Sequence, residues 1–99
     1  MAELLQEYTT VVRGSDDTTY TVRSYGEERA DGTWTGWIEF EPDNPGKPTL
    51  LTDQETSQPN RAALEYWADG LEPIYLEGAL ARAQGRLLSA RKLHLRRKV

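Results

Sequence analysis

Two runs rich in Thr, Val, Tyr and Trp, Thr18 to Glu28 and Thr33 to Glu41, flank Ala30-Asp31-Gly32 and read as a β-hairpin. Charge decides its register. A two-residue Asp31-Gly32 loop would set Ala30 against Thr33 and Arg23 against Phe40, placing a guanidinium beside the best core residue. A three-residue loop, Ala30-Asp31-Gly32 with Gly32 at positive φ, sets Val22 against Phe40, Ser24 against Ile38, Arg23 against Glu39 and Tyr25 against Trp37. The second register suits both faces. It predicts a core face of Tyr20, Val22, Trp34, Ile38 and Phe40, and an outer face bearing Tyr25, Trp37 and the Arg23/Glu39 pair.

Strands are also expected near Glu7 to Arg13 and Pro48 to Asp53, divided from the hairpin by Gly14-Ser15-Asp16-Asp17 and by Pro42-Asp43-Asn44-Pro45-Gly46-Lys47. Such short connections imply an antiparallel meander. After Asp53 the periodicity becomes helical. Ser57-Gln58-Pro59-Asn60 offers capping side chains and a proline suited to a first turn, and Leu64, Trp67 and Leu71 then recur on one side, predicting a helix from about Pro59 to Ala68. Gly70 is expected to close it as a left-handed cap, and Pro73 to open the next. In that second helix Leu76, Leu80, Ala83, Leu87 and Ala90 form a stripe that continues through His94, with Gly85 a weak point. The expectation is therefore an α+β protein: three to four antiparallel strands, then two helices packed on one face, the C-terminal helix long and basic.

Ninety-nine residues suffice for one hydrophobic core and not for two. Along the chain the charge is strongly segregated. All sixteen acidic residues lie between Glu3 and Glu77 against five basic ones, a formal balance of −11, whereas the remainder carries seven Lys and Arg, no acid, and sums to +7. The chain divides accordingly into an acidic sheet-and-helix domain, 1–85, and a basic helical extension, 86–99. There is no cysteine, which removes disulfides, thiolate metal sites and cysteine nucleophiles. With no basic leader at the N-terminus and no apolar run long enough for a membrane span, a cytoplasmic location is expected.

Catalytic patterns are missing as well. His94 is the one histidine, and it sits in the basic segment far from the carboxylates that could orient it. Glu39, Glu41 and Asp43 alternate along a strand and its turn in the manner of a solvated sheet edge. Asp53-x-Glu55-x-Ser57 opens like a calcium loop but has Gln58 where glycine and Leu64 where glutamate belong, and no glycine pattern builds a phosphate loop. Neither a cofactor nor a metal is expected.

Two features point to binding instead. Tyr25 and Trp37 form an aromatic pair on the outer sheet face, a contact patch unless the Leu4-Leu5 segment or the basic helix folds over it. Arg86, Arg91, Lys92, Arg96, Arg97 and Lys98, interleaved with Leu87, Leu88, Leu93 and Leu95, make a basic amphipathic helix suited to an acidic protein groove, a nucleic acid, an anionic membrane surface or the protein's own acidic surface.

The stretches Asp31-Gly32-Thr33-Trp34-Thr35-Gly36-Trp37-Ile38-Glu39-Phe40 and Gln58-Pro59-Asn60-Arg61-Ala62-Ala63-Leu64-Glu65-Tyr66-Trp67-Ala68-Asp69-Gly70-Leu71-Glu72-Pro73-Ile74-Tyr75-Leu76-Glu77-Gly78-Ala79-Leu80 resemble a family of short uncharacterised bacterial proteins. That resemblance covers about Tyr20 to Ala83 and implies no activity. The order of elements is also similar to that of the HicB-type antitoxin domain, which implies a small regulator that binds a partner protein and DNA. The expected function is that of a non-catalytic, protein-binding or regulatory module, with self-association the alternative.

Overall fold

The computed structural model describes the backbone of residues 1–97 and the side chains of residues 1–87. Its elements are β1 (Glu3–Arg13), β2 (Thr19–Glu28), β3 (Trp34–Pro42), β4 (Leu50–Leu51), β5 (Thr56–Gln58), α1 (Arg61–Asp69) and α2 (Pro73–Arg97). Strands β1 to β4 follow one another across an antiparallel sheet, and β5 joins the same side of β3 as β4. This is the α+β architecture expected.

The hairpin adopts the three-residue register. Val22 lies opposite Phe40, Arg23 opposite Glu39, Ser24 opposite Ile38 and Tyr25 opposite Trp37. Gly32 takes φ +87°, Arg29 N donates to Thr33 O at 2.7 Å, and the Asp31 carboxylate accepts from Thr33 N at 3.0 Å. Glycine thus supplies the left-handed residue that such a loop requires. Along both strands the burial alternates strictly, and the inward set Tyr20, Val22, Trp34, Ile38 and Phe40 is buried throughout.

Both helices cover that inward face. From α2 come Leu76, Ala79, Leu80 and Ala83, meeting Val12, Tyr20, Val22, Ile38, Phe40 and Leu50 in one cluster, with Leu87 packed at its margin. From α1 comes Leu64, fully buried, and its seat is unusual. Gly26 and Gly36 are cross-strand partners on the inward face, so side chains are missing from two facing positions. A methyl group at Gly36 would stand 2.9 Å from Leu64 Cδ1 and from Trp67 Cζ3, and 3.0 Å from Thr56 Cγ2, while one at Gly26 would collide with Leu64 Cδ2. Leu64 therefore rests on bare backbone, and α1 approaches closer than a side-chain-bearing sheet permits. Beside it, Tyr8 Oη donates to the Ala68 carbonyl at 2.7 Å and lies 3.1 Å from Ser24 Oγ, satisfying the polar atoms this close docking buries.

Several boundaries differ from expectation for local reasons. β1 begins at Glu3, adding Leu4-Leu5 to the sheet edge, and two irregularities, between Leu4 and Gln6 and between Glu7 and Val11, interrupt its pairing with β2. The expected fourth strand is reduced to Leu50–Leu51 because Thr52 substitutes its hydroxyl for a backbone carbonyl. Thr52 N donates to Ile38 O at 2.9 Å, but Ile38 N donates to Thr52 Oγ1 at 3.0 Å, and the ladder ends. The chain then rejoins β3 as β5, a strand too polar to stand out in the sequence. Asn60, one of the capping side chains expected, caps α1 by accepting from Ala63 N at 2.8 Å, so the helix begins at Arg61 and Pro59 precedes it. Gly70 closes α1 at φ −89° and not in the left-handed region. α2 passes through Gly85 without a break.

Gly36→Ala should destabilise the fold by about 1–3 kcal/mol through overpacking, measured as a drop in melting temperature. The penalty should shrink in a Leu64→Ala background, where the crowding methyl groups are gone.

Candidate docking surface

With both helices on the inward face, strand register sets rows of side chains across the outer face of the sheet, three of which occupy its centre. The first is Leu4, Tyr25 and Trp37; the second Glu7, Arg23, Glu39 and Leu51; the third Val11, Thr21 and Glu41. In the first row Tyr25 and Trp37 stack, with ring centroids 6.2 Å apart and planes inclined by 15°. Leu4 continues the row at 53% exposure, so the N-terminal segment lies beside the aromatic pair and does not cover it. Tyr25 and Trp37 are themselves half-buried.

Arg23 organises the second and third rows. Its Nε is 2.7 Å from Glu7 Oε2, and its Nη1 is 2.6 Å from Glu41 Oε1 and 3.3 Å from Glu39 Oε1. The anticipated Arg23/Glu39 pair is thus one spoke of a three-carboxylate hub. Hydrogen bonds that it donates to Glu41 and Glu7 hold the guanidinium charged, moving its pKa further upward. Glu39 and Glu41 are directed onto Arg23 and not toward a shared cation, and among the described residues no cluster of three or more potential ligands could hold a metal.

A shallow hollow opens beside Trp37 where β4 and β5 part, lined by Thr35, Trp37, Leu51, Asp53, Gln54 and Arg86. Arg86 reaches it from α2, donating through Nη1 to the Leu51 carbonyl at 3.3 Å. Two of the residues singled out in the sequence, Trp37 and Arg86, therefore meet at one place, adjoining Tyr25. The side chains of Arg91, Lys92, Arg96 and Arg97, and all of Lys98, lie outside the described residues.

Just beyond the hollow, Glu55 ties the β4–β5 connection to α2. Its carboxylate accepts from both Tyr75 Oη and Arg82 Nη2, and Arg82 lies over the Tyr75 ring at 5.6 Å. The Glu55 side chain is only 8% exposed, so its two donors compensate a charge largely removed from water. The Tyr75 phenol is pushed up to about 12, first by burial and then by its bond to Glu55.

The sequence reading overlooked a second apolar area, at the corner between the helices. Tyr66 and Ile74 are 72% and 79% exposed, and Tyr75 stands between them and the Glu55 cluster. A signal was present, because neither Tyr66 nor Ile74 falls on the stripe that buries its own helix. No described helix is long and apolar enough to cross a membrane.

Arg23→Met should cost about 1 kcal/mol by leaving three carboxylates facing one another, and the difference from the native protein should narrow in about 1 M salt. Tyr75 provides a pH test. Its pKa is raised from 10.0 to about 12 in the folded state, so its contribution to stability is present below pH 10 and fades as pH climbs toward 12. Thermal melts of Tyr75→Phe across that window should lack this component of the alkaline loss.

Comparison with protein-family models, with curated proteins and with solved structures finds no match to this chain.

Proposed function

We propose that this chain is a non-catalytic docking module of the bacterial cytoplasm, which engages a protein partner through the sheet face around Tyr25 and Trp37 and uses its basic C-terminal segment as a second grip. What supports this reading is the row of exposed Leu4 and half-buried, stacked Tyr25 and Trp37 on a sheet whose opposite face is occupied by two helices. Large aromatic surfaces left in contact with water lower their free energy by burial against a partner, and Trp and Tyr are enriched among the residues that dominate such contacts.

The electrostatics favour a protein over a nucleic acid at this face. The stacked rings could serve as a base-stacking platform, but they adjoin Glu7, Glu39 and Glu41 and belong to a body with a formal balance of −11, sixteen acidic residues against five basic ones. A phosphate backbone would be repelled. Arg86, at the rim of the same hollow, offers a cation to a partner that carries an acid beside its apolar anchor.

Affinity capture with the tagged protein from its host tests the reading. Tyr25→Ser/Trp37→Ser should retain the native circular dichroism spectrum while its partner is lost from the eluate, with affinity reduced by about 30-fold or more, as expected for two anchors each worth at least ~1 kcal/mol. Nuclease treatment should leave the native capture intact. Undiminished capture by the double variant would exclude the sheet face as the docking surface.

A further inference from the structure

The basic segment of α2, read above as a second grip, raises the question of what it holds, and the exposed side of the helix supplies an answer. α2 turns Leu76, Ala79, Leu80 and Ala83 into the core. On the opposite side, Ile74, Gly78, Ala81 and Gly85 follow one another at steps of four, three and four residues, and Ile74, Ala81 and Gly85 are exposed. The same steps continue in the sequence through Leu88, Lys92 and Leu95, while the helix backbone extends to Arg97. An alternation of three and four sustained over this length is the spacing by which one helix lies along another. Little obstructs such an approach, since the nearest atom to a methyl group added at Gly78 is Arg82 Nη1 at 3.6 Å and nothing stands within 4 Å of one added at Gly85.

Charge selects the occupant and its direction. Around the start of α2 the exposed residues Glu65, Asp69, Glu72 and Glu77 are acidic, whereas residues 82–98 hold seven Lys and Arg and no acid. A continuous helix keeps these ends apart, Glu77 and Arg91 being separated by about 20 Å at 1.5 Å per residue. They cannot neutralise each other within one chain. A parallel neighbour would set like charges side by side, and only an antiparallel one matches each end to its complement.

We infer that α2 pairs antiparallel, through its exposed face, with α2 of a second copy of this chain. In that arrangement Gly78 lies opposite Leu88 of the second copy, Ala81 opposite Gly85, and Ile74 opposite Lys92. Along the flank, Glu77 lies opposite Arg91. The two-fold axis repeats each contact, so the assembly is closed and the sheet faces remain free. This inference rests on reading the basic segment as a gripping surface and is independent of the role given to Tyr25 and Trp37.

Sedimentation equilibrium on the intact, nucleic-acid-free protein tests it. The native chain should approach twice its mass of 11.2 kDa as concentration rises. Glu77→Lys and Arg91→Glu should each raise the dissociation constant at least about tenfold, because each sets like charges opposite one another twice. An equimolar mixture of the two variants should regain the dimer mass, since both mixed contacts are again between opposite charges. Circular dichroism confirms that each variant is folded, and Glu77 is exposed in the native protein. A native chain that stays monomeric, variants that dimerise as before, or a mixture that fails to recover would each overturn the inference. Tyr25→Ser/Trp37→Ser should leave the mass unchanged, so failure here is distinguishable from failure of the sheet-face reading.

Discussion

The seating of Leu64 on the backbone of Gly26 and Gly36 is the contact from which the rest of the arrangement follows. Without side chains at those two facing positions, α1 sits low enough for the Ala68 carbonyl to reach Tyr8 Oη, and Tyr8 in turn reaches Ser24 Oγ. Ser24, fully buried among apolar neighbours, would otherwise lack a partner for its hydroxyl. The turn between the helices is then positioned so that α2 lays Leu76 and Leu80 across Val22, Ile38 and Phe40. All the tight packing is thereby gathered on one side of the sheet. The half-exposed stack of Tyr25 and Trp37 on the other side is the counterpart of that choice.

Much of this was legible in the amino-acid sequence, because the hairpin offers two competing registers and only one avoids placing Arg23 against Phe40. Gly32 and Asp31 agree with that outcome, the first by accepting a positive φ and the second by bonding Thr33. When turn chemistry and side-chain polarity point the same way, a register can be deduced from residues alone. The stripe of Leu76, Leu80 and Ala83 was legible for the same reason, since helical period and apolar character coincide.

What escaped the reading depends on three-dimensional proximity. Gly26 and Gly36 carry no periodic signal, and their importance appears only once they face each other beneath Leu64. The β4–β5 interruption turns on a single hydroxyl, that of Thr52, acting in place of a carbonyl. Glu7 and Glu41 become partners of Arg23 only through the pairing of β1 and β3 on either side of β2. The segregation of charge was visible, but its partial resolution was not. Arg82 meets Glu55 and Arg86 meets a backbone carbonyl, so the first cations of the basic stretch already anchor α2 to the sheet margin.

The hydroxyl of Thr52 carries one more implication. By satisfying Ile38 N from a side chain, it frees the chain to leave β3 at that point, and Glu55 N returns to it by donating to the Gly36 carbonyl at 2.8 Å. Asp53 and Gln54, between these two fixed points, are exposed and add no bond to the sheet ladder. This short span is accordingly the place where length can change over evolutionary time without loss of a ladder hydrogen bond. It borders the hollow beside Trp37, so related proteins built on this plan could diverge in what they recognise by altering a few residues there while keeping every strand in place.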